Sequence, residues 1–175
     1  MAETNAPSEG SSQKPSARRI LVVIACVIAV IVVLMLLSGF RTGMEKMQRL
    51  DCQSNLRQIS LPLREYAAAH TGHFPSTWFE LNLVGDYSNW AKLLHCPSTR
   101  HEIGIWPQVD LWADYRLLPG RSTNDPSDLI LVIEPLGNHR AAGANVLFVD
   151  GSTQWWPASR ILRASAEAVT NNAIK

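Results

Sequence analysis

One uninterrupted apolar run lies near the start of the chain. Residues 20–37, ILVVIACVIAVIVVLMLL, contain no charged residue, no proline and no glycine. At about 1.5 Å of rise per helical residue, a helix continued from this run to Phe40 spans the roughly 30 Å core of a bilayer. Because apolar residues occupy every side of that helix, it has no face to turn toward water. The pattern predicts one transmembrane helix over residues 20–40, with Ile20 and Leu37 bounding the apolar run.

After the span, the hydrophobic pattern changes to a helical period. Apolar side chains recur at three- and four-residue steps, and charged and amide side chains fill the other side, which is typical of an amphipathic helix. This helix can continue directly from the span, with bends expected at Gly39, Gly43 and Pro62. Gly72 suits a left-handed cap and is expected to end it. The apolar positions are Met44, Met47, Leu50, Leu56, Ile59, Leu63, Tyr66 and Ala67.

The last third of the chain predicts a small sheet. Short apolar runs rich in branched residues predict three strands, over residues 129–134, 145–149 and 152–156. Asp150-Gly151 joins the last two strands and predicts a two-residue hairpin with a type I′ turn, which needs positive φ at both residues. Together the patterns predict an α+β fold in which a long N-terminal helix packs on a small antiparallel sheet.

Polar and basic residues before the span predict its orientation. Residues 1–19 are rich in Ser, Pro, Glu and Gln and cannot bury a core, so we expect a disordered tail. Lys14, Arg18 and Arg19 precede the span and favour a cytoplasmic N-terminus, which makes residues 41–175 one extracytoplasmic domain at the inner membrane. A cleaved signal peptide is the alternative. An uncleaved anchor is favoured because the apolar run is long and no A-x-A-like site follows it.

The net charge limits the possible partners, and the cysteines indicate a possible disulfide. The formal net charge of +1 offers no basic excess for binding nucleic acid. Cys26 lies within the span, where a small apolar filler is expected. Cys52 and Cys96 then form an even pair, for which a location outside the cytoplasm favours a disulfide. Two unrelated buried thiols are the alternative.

Two blocks of the sequence resemble type IV pilin-like and pseudopilin-like proteins. In the first, an apolar helix is followed by Cys-x-x-Asn-Leu-Arg-Gln-Ile at residues 52–59, which includes Asn55, Leu56, Gln58 and Ile59. The second resembles the prepilin-type His-x9-Asp-Gly domain, here with ten residues between the histidine and the aspartate; its residues are His139, Asn145, Asp150 and Gly151. The resemblance implies a pilin-like fold and a structural or interaction role in a secretion or cell-surface system. It also implies protein partners in addition to membrane lipid.

The chain departs from that family in its processing and assembly signals. The apolar run is preceded by Ala17-Arg18-Arg19 rather than by a glycine, and Phe-Thr-Leu and a glutamate do not follow. No carboxylate lies from Ile20 to Phe40, whereas pilins use a glutamate near the start of the span to pair with a neighbouring chain. The resemblance therefore extends to the scaffold but not to these signals.

Candidate catalytic chemistry is sparse. His139 and Asp150 are residue types that ligate metals and transfer protons, but the hairpin turn already accounts for Asp150. We therefore expect no catalytic, cofactor or metal site, and a structural or interaction protein rather than an enzyme. One alternative is a membrane-anchored extracytoplasmic binding module, which exposed side chains at Trp106, Trp112 or Trp156 would support. The other is a hydrolase in which His139 and Asp150 converge in a cleft.

Overall fold

The computed structural model describes residues 17–83 and 87–173, and side chains over residues 18–81 and 91–165. The chain forms two units, residues 1–42 and residues 43–175, and the division falls within one helix. This helix, α1, covers Ala17–Ala69 and continues through Pro62, so the proline does not end it. Its end agrees with the prediction, since Gly72 has a φ of 88° and its backbone N–H donates to the carbonyl of Ala67.

The part of α1 in the first unit fits a membrane environment. The helix is long and apolar enough to cross a membrane, and every residue from 18 to 44 is exposed. Two hydroxyl groups near the end of the apolar run donate to carbonyls of the same helix. The Ser38 hydroxyl donates to the carbonyl of Met35, and the Thr42 hydroxyl donates to the carbonyl of Ser38. Such bonds remove the need for water at these side chains. The structure thus confirms one helix suited to a membrane span near the N-terminus.

The second unit contains a four-stranded antiparallel sheet in the order β1-β2-β3-β4. The three predicted strands are present, and a short fourth strand precedes them. Their bounds are β1 Arg116–Leu117, β2 Ile130–Ile133, β3 Gly143–Phe148 and β4 Thr153–Pro157. The helices are 3-10 helices at Phe79–Leu83, Tyr87–Leu94, Trp106–Gln108 and Leu136–His139, then α2 at Val109–Trp112 and α3 at Ala158–Ala173.

The hairpin between β3 and β4 differs from the predicted one. Gly151 has a φ of 83°, but Asp150 is not in the left-handed region, which excludes a type I′ turn. Instead the N–H of Gly151 donates to the carbonyl of Phe148, and the N–H of Phe148 donates to the carbonyl of Ser152. This is a three-residue connection, in which a turn is followed by a glycine bulge. The prediction was wrong because Val149 also belongs to the loop.

Both faces of the sheet are covered, so all six residues of β3 are buried. The second part of α1 and the middle segments pack on one face, where Leu56, Leu63 and Leu147 share one core cluster. α3 packs on the other face through Ile161, which clusters with Trp156 and other residues of the sheet. The alternation of Val146 and Leu147 between the two clusters follows from the two-residue period of a strand. The fold is α+β, consistent with a pilin-like layout.

Candidate functional site: a buried cluster of cysteine, histidine and glutamate

Two cysteines from distant parts of the chain meet at the centre of the domain. Cys52 lies on α1, and Cys96 follows the 3-10 helix Tyr87–Leu94. Their Sγ atoms are 2.9 Å apart, and both residues are fully buried. The structure therefore brings together the pair that the sequence singled out. Both thiols are free here, and the disulfide stays a prediction.

Glu134, which directly follows β2, adds a carboxylate to the two thiols. Its Oε2 accepts hydrogen bonds from the backbone N–H of Asn145 at 2.7 Å and from Asn145 Nδ2 at 2.9 Å. Asn145 Nδ2 also donates to the carbonyl of Arg49 on α1, at 3.0 Å. The asparagine thus braces the carboxylate and connects β3 to the long helix. The other carboxylate oxygen, Oε1, lies 3.3 Å from Nε2 of His139.

His139 completes the cluster, and its two ring nitrogens have different surroundings. Nδ1 lies 3.0 Å from Ser98 Oγ, and the Ser98 hydroxyl donates to Gln48 Oε1. The serine oxygen must therefore accept its bond from Nδ1–H. Nε2 faces Glu134 Oε1 and also lies 3.7 Å from Cys96 Sγ. The side chains of His139 and Glu134 are both fully buried.

Burial and mutual hydrogen bonding determine the charges in this cluster. Burial lowers the pKa of His139, but hydrogen bonds with Cys96 and Glu134 outweigh it and raise the pKa of His139 to about 9. Hydrogen bonds from Cys52 and from His139 lower the pKa of the Cys96 thiol, despite its burial. The hydrogen bond to Cys96, together with burial, raises the pKa of Cys52. With both thiols reduced, these pKa shifts favour the anionic form of Cys96, the cationic form of His139 and the neutral form of Cys52.

A second polar group fixes the loop that carries Cys96. Asp114 Oδ2 accepts from the backbone N–H of Cys96 and from Thr99 Oγ1, each at 2.7 Å. Its Oδ1 lies 2.8 Å from His101 Nε2, and this bond, with one to the Glu102 carbonyl, raises the pKa of His101. Asp114 is buried, whereas His101 is exposed. The aspartate therefore orients the backbone of Cys96 toward the buried cluster.

The other residues of the two sequence blocks pack in the core or make hydrogen bonds within the fold. Leu56 and Ile59 are buried in the core, while the amide of Asn55 donates to the carbonyl of His95. Gln58 is exposed and bonds within its own helix, to Ser54. Asn145 braces Glu134, and its position in the family motif coincides with the cluster.

Asp150 and Gly151 form the hairpin and do not reach the cluster. Asp150 is exposed. Its carboxylate accepts a hydrogen bond from the backbone N–H of Ser152, and its backbone carbonyl accepts one from the Arg64 side chain. The cluster lies beside Asn145, which precedes Asp150 by five residues. Five residues of extended strand are on the order of 15 Å long. The structure thus does not bring His139 and Asp150 into a common cleft.

Sequence inspection missed Glu134, Ser98 and the metal-binding capacity of the cluster. Four side chains offer one ligand atom each, and these atoms all lie within 4.8 Å of one another; they are Cys52, Cys96, Glu134 and His139. They come from α1, a loop, the residue after β2 and a 3-10 helix, so no short spacing signals them. The only sequence signal is a glutamate at the end of a strongly apolar strand.

The fold and the cluster define an α+β protein with one helix long and apolar enough to cross a membrane. Comparisons with family models, with curated proteins and with solved structures find no match to this chain. The fold is consistent with a pilin-like layout, and membership of that family stays a prediction from the two sequence blocks.

Proposed function

We propose that this protein is a membrane-anchored, pseudopilin-like structural and interaction protein of a secretion or cell-surface system. The observation that carries the proposal is α1. One continuous 53-residue helix supplies both the apolar segment suited to a bilayer and the surface on which the domain of the second unit is built. A freely diffusing protein has no need of such a helix.

Uncovered apolar side chains on α1 support a protein partner. Met47 is 61% exposed and Leu50 is 55% exposed, although both belong to the second unit. Met44 and Leu61 are exposed as well. Exposed apolar side chains at helical spacing on one element favour contact with another protein rather than with water. The proposed mechanism is lateral packing of α1 against the corresponding helix of a pilin-like partner.

The proposed orientation places the N-terminus in the cytoplasm and the second unit outside it. It is supported by Lys14, Arg18 and Arg19 before the span. In an oxidising compartment the adjacent thiols of Cys52 and Cys96 are expected to close as a disulfide. Protease added to sealed inner-membrane vesicles of known sidedness tests this orientation, since it should cleave the domain only when the extracytoplasmic side faces outward.

The aromatic side chains do not favour the alternative of a ligand-binding module. Trp156 is buried against α3, and Trp106 and Trp112 are half-buried against the core. A platform for a wall or extracellular ligand would need these rings exposed. The partner surface on α1 is therefore the better-supported one.

Photocrosslinking in membranes tests the proposed function. A photoreactive residue at Met47 should give adducts with a membrane protein that carries an N-terminal apolar helix, or with a second copy of the chain. The same residue at exposed Asn124, in a loop of the second unit, serves as the matched control and should give far fewer adducts. If position 47 gives only uncrosslinked monomer, or alkaline carbonate releases the protein from the membrane, the proposal is wrong.

A further inference from the structure

We propose that Cys52, Cys96, Glu134 and His139 form a four-ligand site for a thiophilic divalent cation of the zinc class when the two thiols are reduced. Each residue offers one ligand atom, and the four atoms all lie within 4.8 Å of one another. Nε2 of the histidine faces both Oε1 of the glutamate and Sγ of Cys96, so these are the atoms proposed as ligands together with Sγ of Cys52. All four residues are buried. Thiolate, imidazole and carboxylate are the ligands that zinc takes in proteins, and four protein ligands are typical of a closed structural site.

The hydrogen bonds around the cluster are those that orient metal ligands. Nδ1–H of His139 donates to Ser98 Oγ, and the other ring nitrogen, Nε2, is directed into the cluster. The backbone N–H and the side-chain amide of Asn145 both donate to Oε2 of Glu134, whereas Oε1 faces Nε2 of His139. Ligating histidines and carboxylates are characteristically held in this way by their second polar atom. A cluster that served only as a disulfide would not need an oriented imidazole and carboxylate beside it.

Two separations between ligand atoms match those of a tetrahedral zinc site. Zinc–nitrogen and zinc–oxygen bonds of about 2.05 Å place the two atoms roughly 3.3 Å apart, and Nε2 and Oε1 are separated by 3.3 Å. A nitrogen and a sulfur on one zinc lie about 3.6 Å apart, and Nε2 and Cys96 Sγ are separated by 3.7 Å.

The two sulfur atoms lie closer together than two ligands of one zinc. Two thiolates on one zinc lie roughly 3.8 Å apart, and a disulfide bond is about 2.05 Å long. The observed 2.9 Å is about midway, so a shift of about 0.9 Å leads to either state. The disulfide and the metal site are thus alternative states of the same pair of thiols.

Metal binding would be coupled to proton release and to folding. Zinc takes thiolate and neutral imidazole ligands, so any proton on the two Sγ atoms or on His139 Nε2 would be displaced and would pass to solvent. Because the cluster is closed, the ion would enter as the domain folds, and its binding energy would contribute to folding.

Zinc binding by the full-length chain in detergent tests the proposal. The protein would be kept reduced with a phosphine under anaerobic conditions and titrated with Zn²⁺ or Co²⁺ alone. We expect stoichiometric zinc, and a cobalt form with the near-ultraviolet thiolate charge-transfer band and the visible bands of tetrahedral coordination. Glu134→Gln should weaken zinc binding at least tenfold, as loss of a ligand must exceed the roughly 10–100-fold effect of losing an outer-shell partner.

Matched cysteine variants separate this site from adventitious binding. Cys52→Ser should remove the thiolate band, whereas Cys26→Ser, which alters the exposed cysteine of the first unit, should leave it unchanged. His73→Ala, which removes an exposed histidine outside the cluster, should also have no effect. A reduced, folded wild-type protein that binds no zinc would overturn the proposal without any variant. Zinc retained at full affinity in Cys52→Ser would overturn it as well, and neither outcome bears on the crosslinking test of Met47.

Discussion

Asn145 is predicted to be the most sensitive polar residue of the sheet. Its side-chain amide donates both to Glu134 Oε2, at 2.9 Å, and to the carbonyl of Arg49, at 3.0 Å. The residue is 1% exposed, so water cannot replace either bond. Asn145→Ala would leave a fully buried carboxylate with one donor fewer and would remove the hydrogen bond between β3 and α1.

The expected cost follows from the two bonds that are lost. A hydrogen bond to a charged group contributes about 1.5–3 kcal/mol and one to a neutral carbonyl about 0.5–1.5 kcal/mol. Asn145→Ala should therefore lower the free energy of unfolding by about 2–4 kcal/mol. Asn138→Ala is the matched control, because Asn138 is half-buried and donates one bond, to the neutral carbonyl of Asp114. Its cost should be about 1 kcal/mol.

Urea unfolding of the full chain in detergent, followed by tryptophan fluorescence, measures both variants. All six tryptophans lie at residue 78 or later, so the signal reports on the second unit and not on the apolar segment. The comparison uses the midpoint and slope of each transition. If the two variants differ by less than about 0.5 kcal/mol, the reasoning that Asn145 braces a buried carboxylate is refuted, because the predicted costs then lie within ordinary experimental scatter.

Three further predictions concern packing and pH. Gly143→Ala should cost about 1–3 kcal/mol in urea unfolding, because a Cβ there would overlap the backbone carbonyl of Trp156 and the Trp155 ring, while Gly137→Ala, where a Cβ meets open space, should be close to neutral. Ile161→Ala should cost about 2–4 kcal/mol by the same assay, since this buried side chain holds α3 on the sheet, and an unchanged midpoint would contradict that packing. With thiols reduced and metal removed, the raised pKa of His139 should contribute stability that is complete below about pH 6.5 and is lost as the pH rises through about 9; because the lowered pKa of Cys96 acts in the opposite sense, the test is the difference in midpoint between the wild type and His139→Gln, which should shrink as the pH rises.

The elements and the fold class could be predicted because they depend on local patterns. The apolar run, the helical period after it and three β-rich runs each carry their own signal, and each corresponds to an observed element. β1 has only two residues and could not be recognised in this way. It exists because β2 offers it a partner, with Arg116 opposite Ile133, and that pairing is a tertiary effect.

The site could be predicted only in part, for a related reason. The even number of cysteines after the span indicates Cys52 and Cys96. The block that resembles the His-x9-Asp-Gly domain indicates His139 and Asn145. Glu134 was missed because a carboxylate at the end of an apolar strand usually faces solvent. It is buried here because Asn145 supplies two donors directly across the sheet. A satisfied buried carboxylate depends on its partner and not on its neighbours in the sequence.

The one-residue error in the predicted hairpin shows how closely the site depends on register. A two-residue turn at Asp150-Gly151 would pair Asn145 with Trp156, whereas the observed three-residue loop pairs Asn145 with Trp155. Because side chains alternate between faces, that single residue decides which tryptophan lies on the α1 face. In the observed register the ring of Trp155 packs against His139, with the ring centroids 5.4 Å apart, and Trp156 lies under α3. The extra loop residue lies far along the strand from the cluster. It nevertheless determines which tryptophan ring packs beside the His139 imidazole.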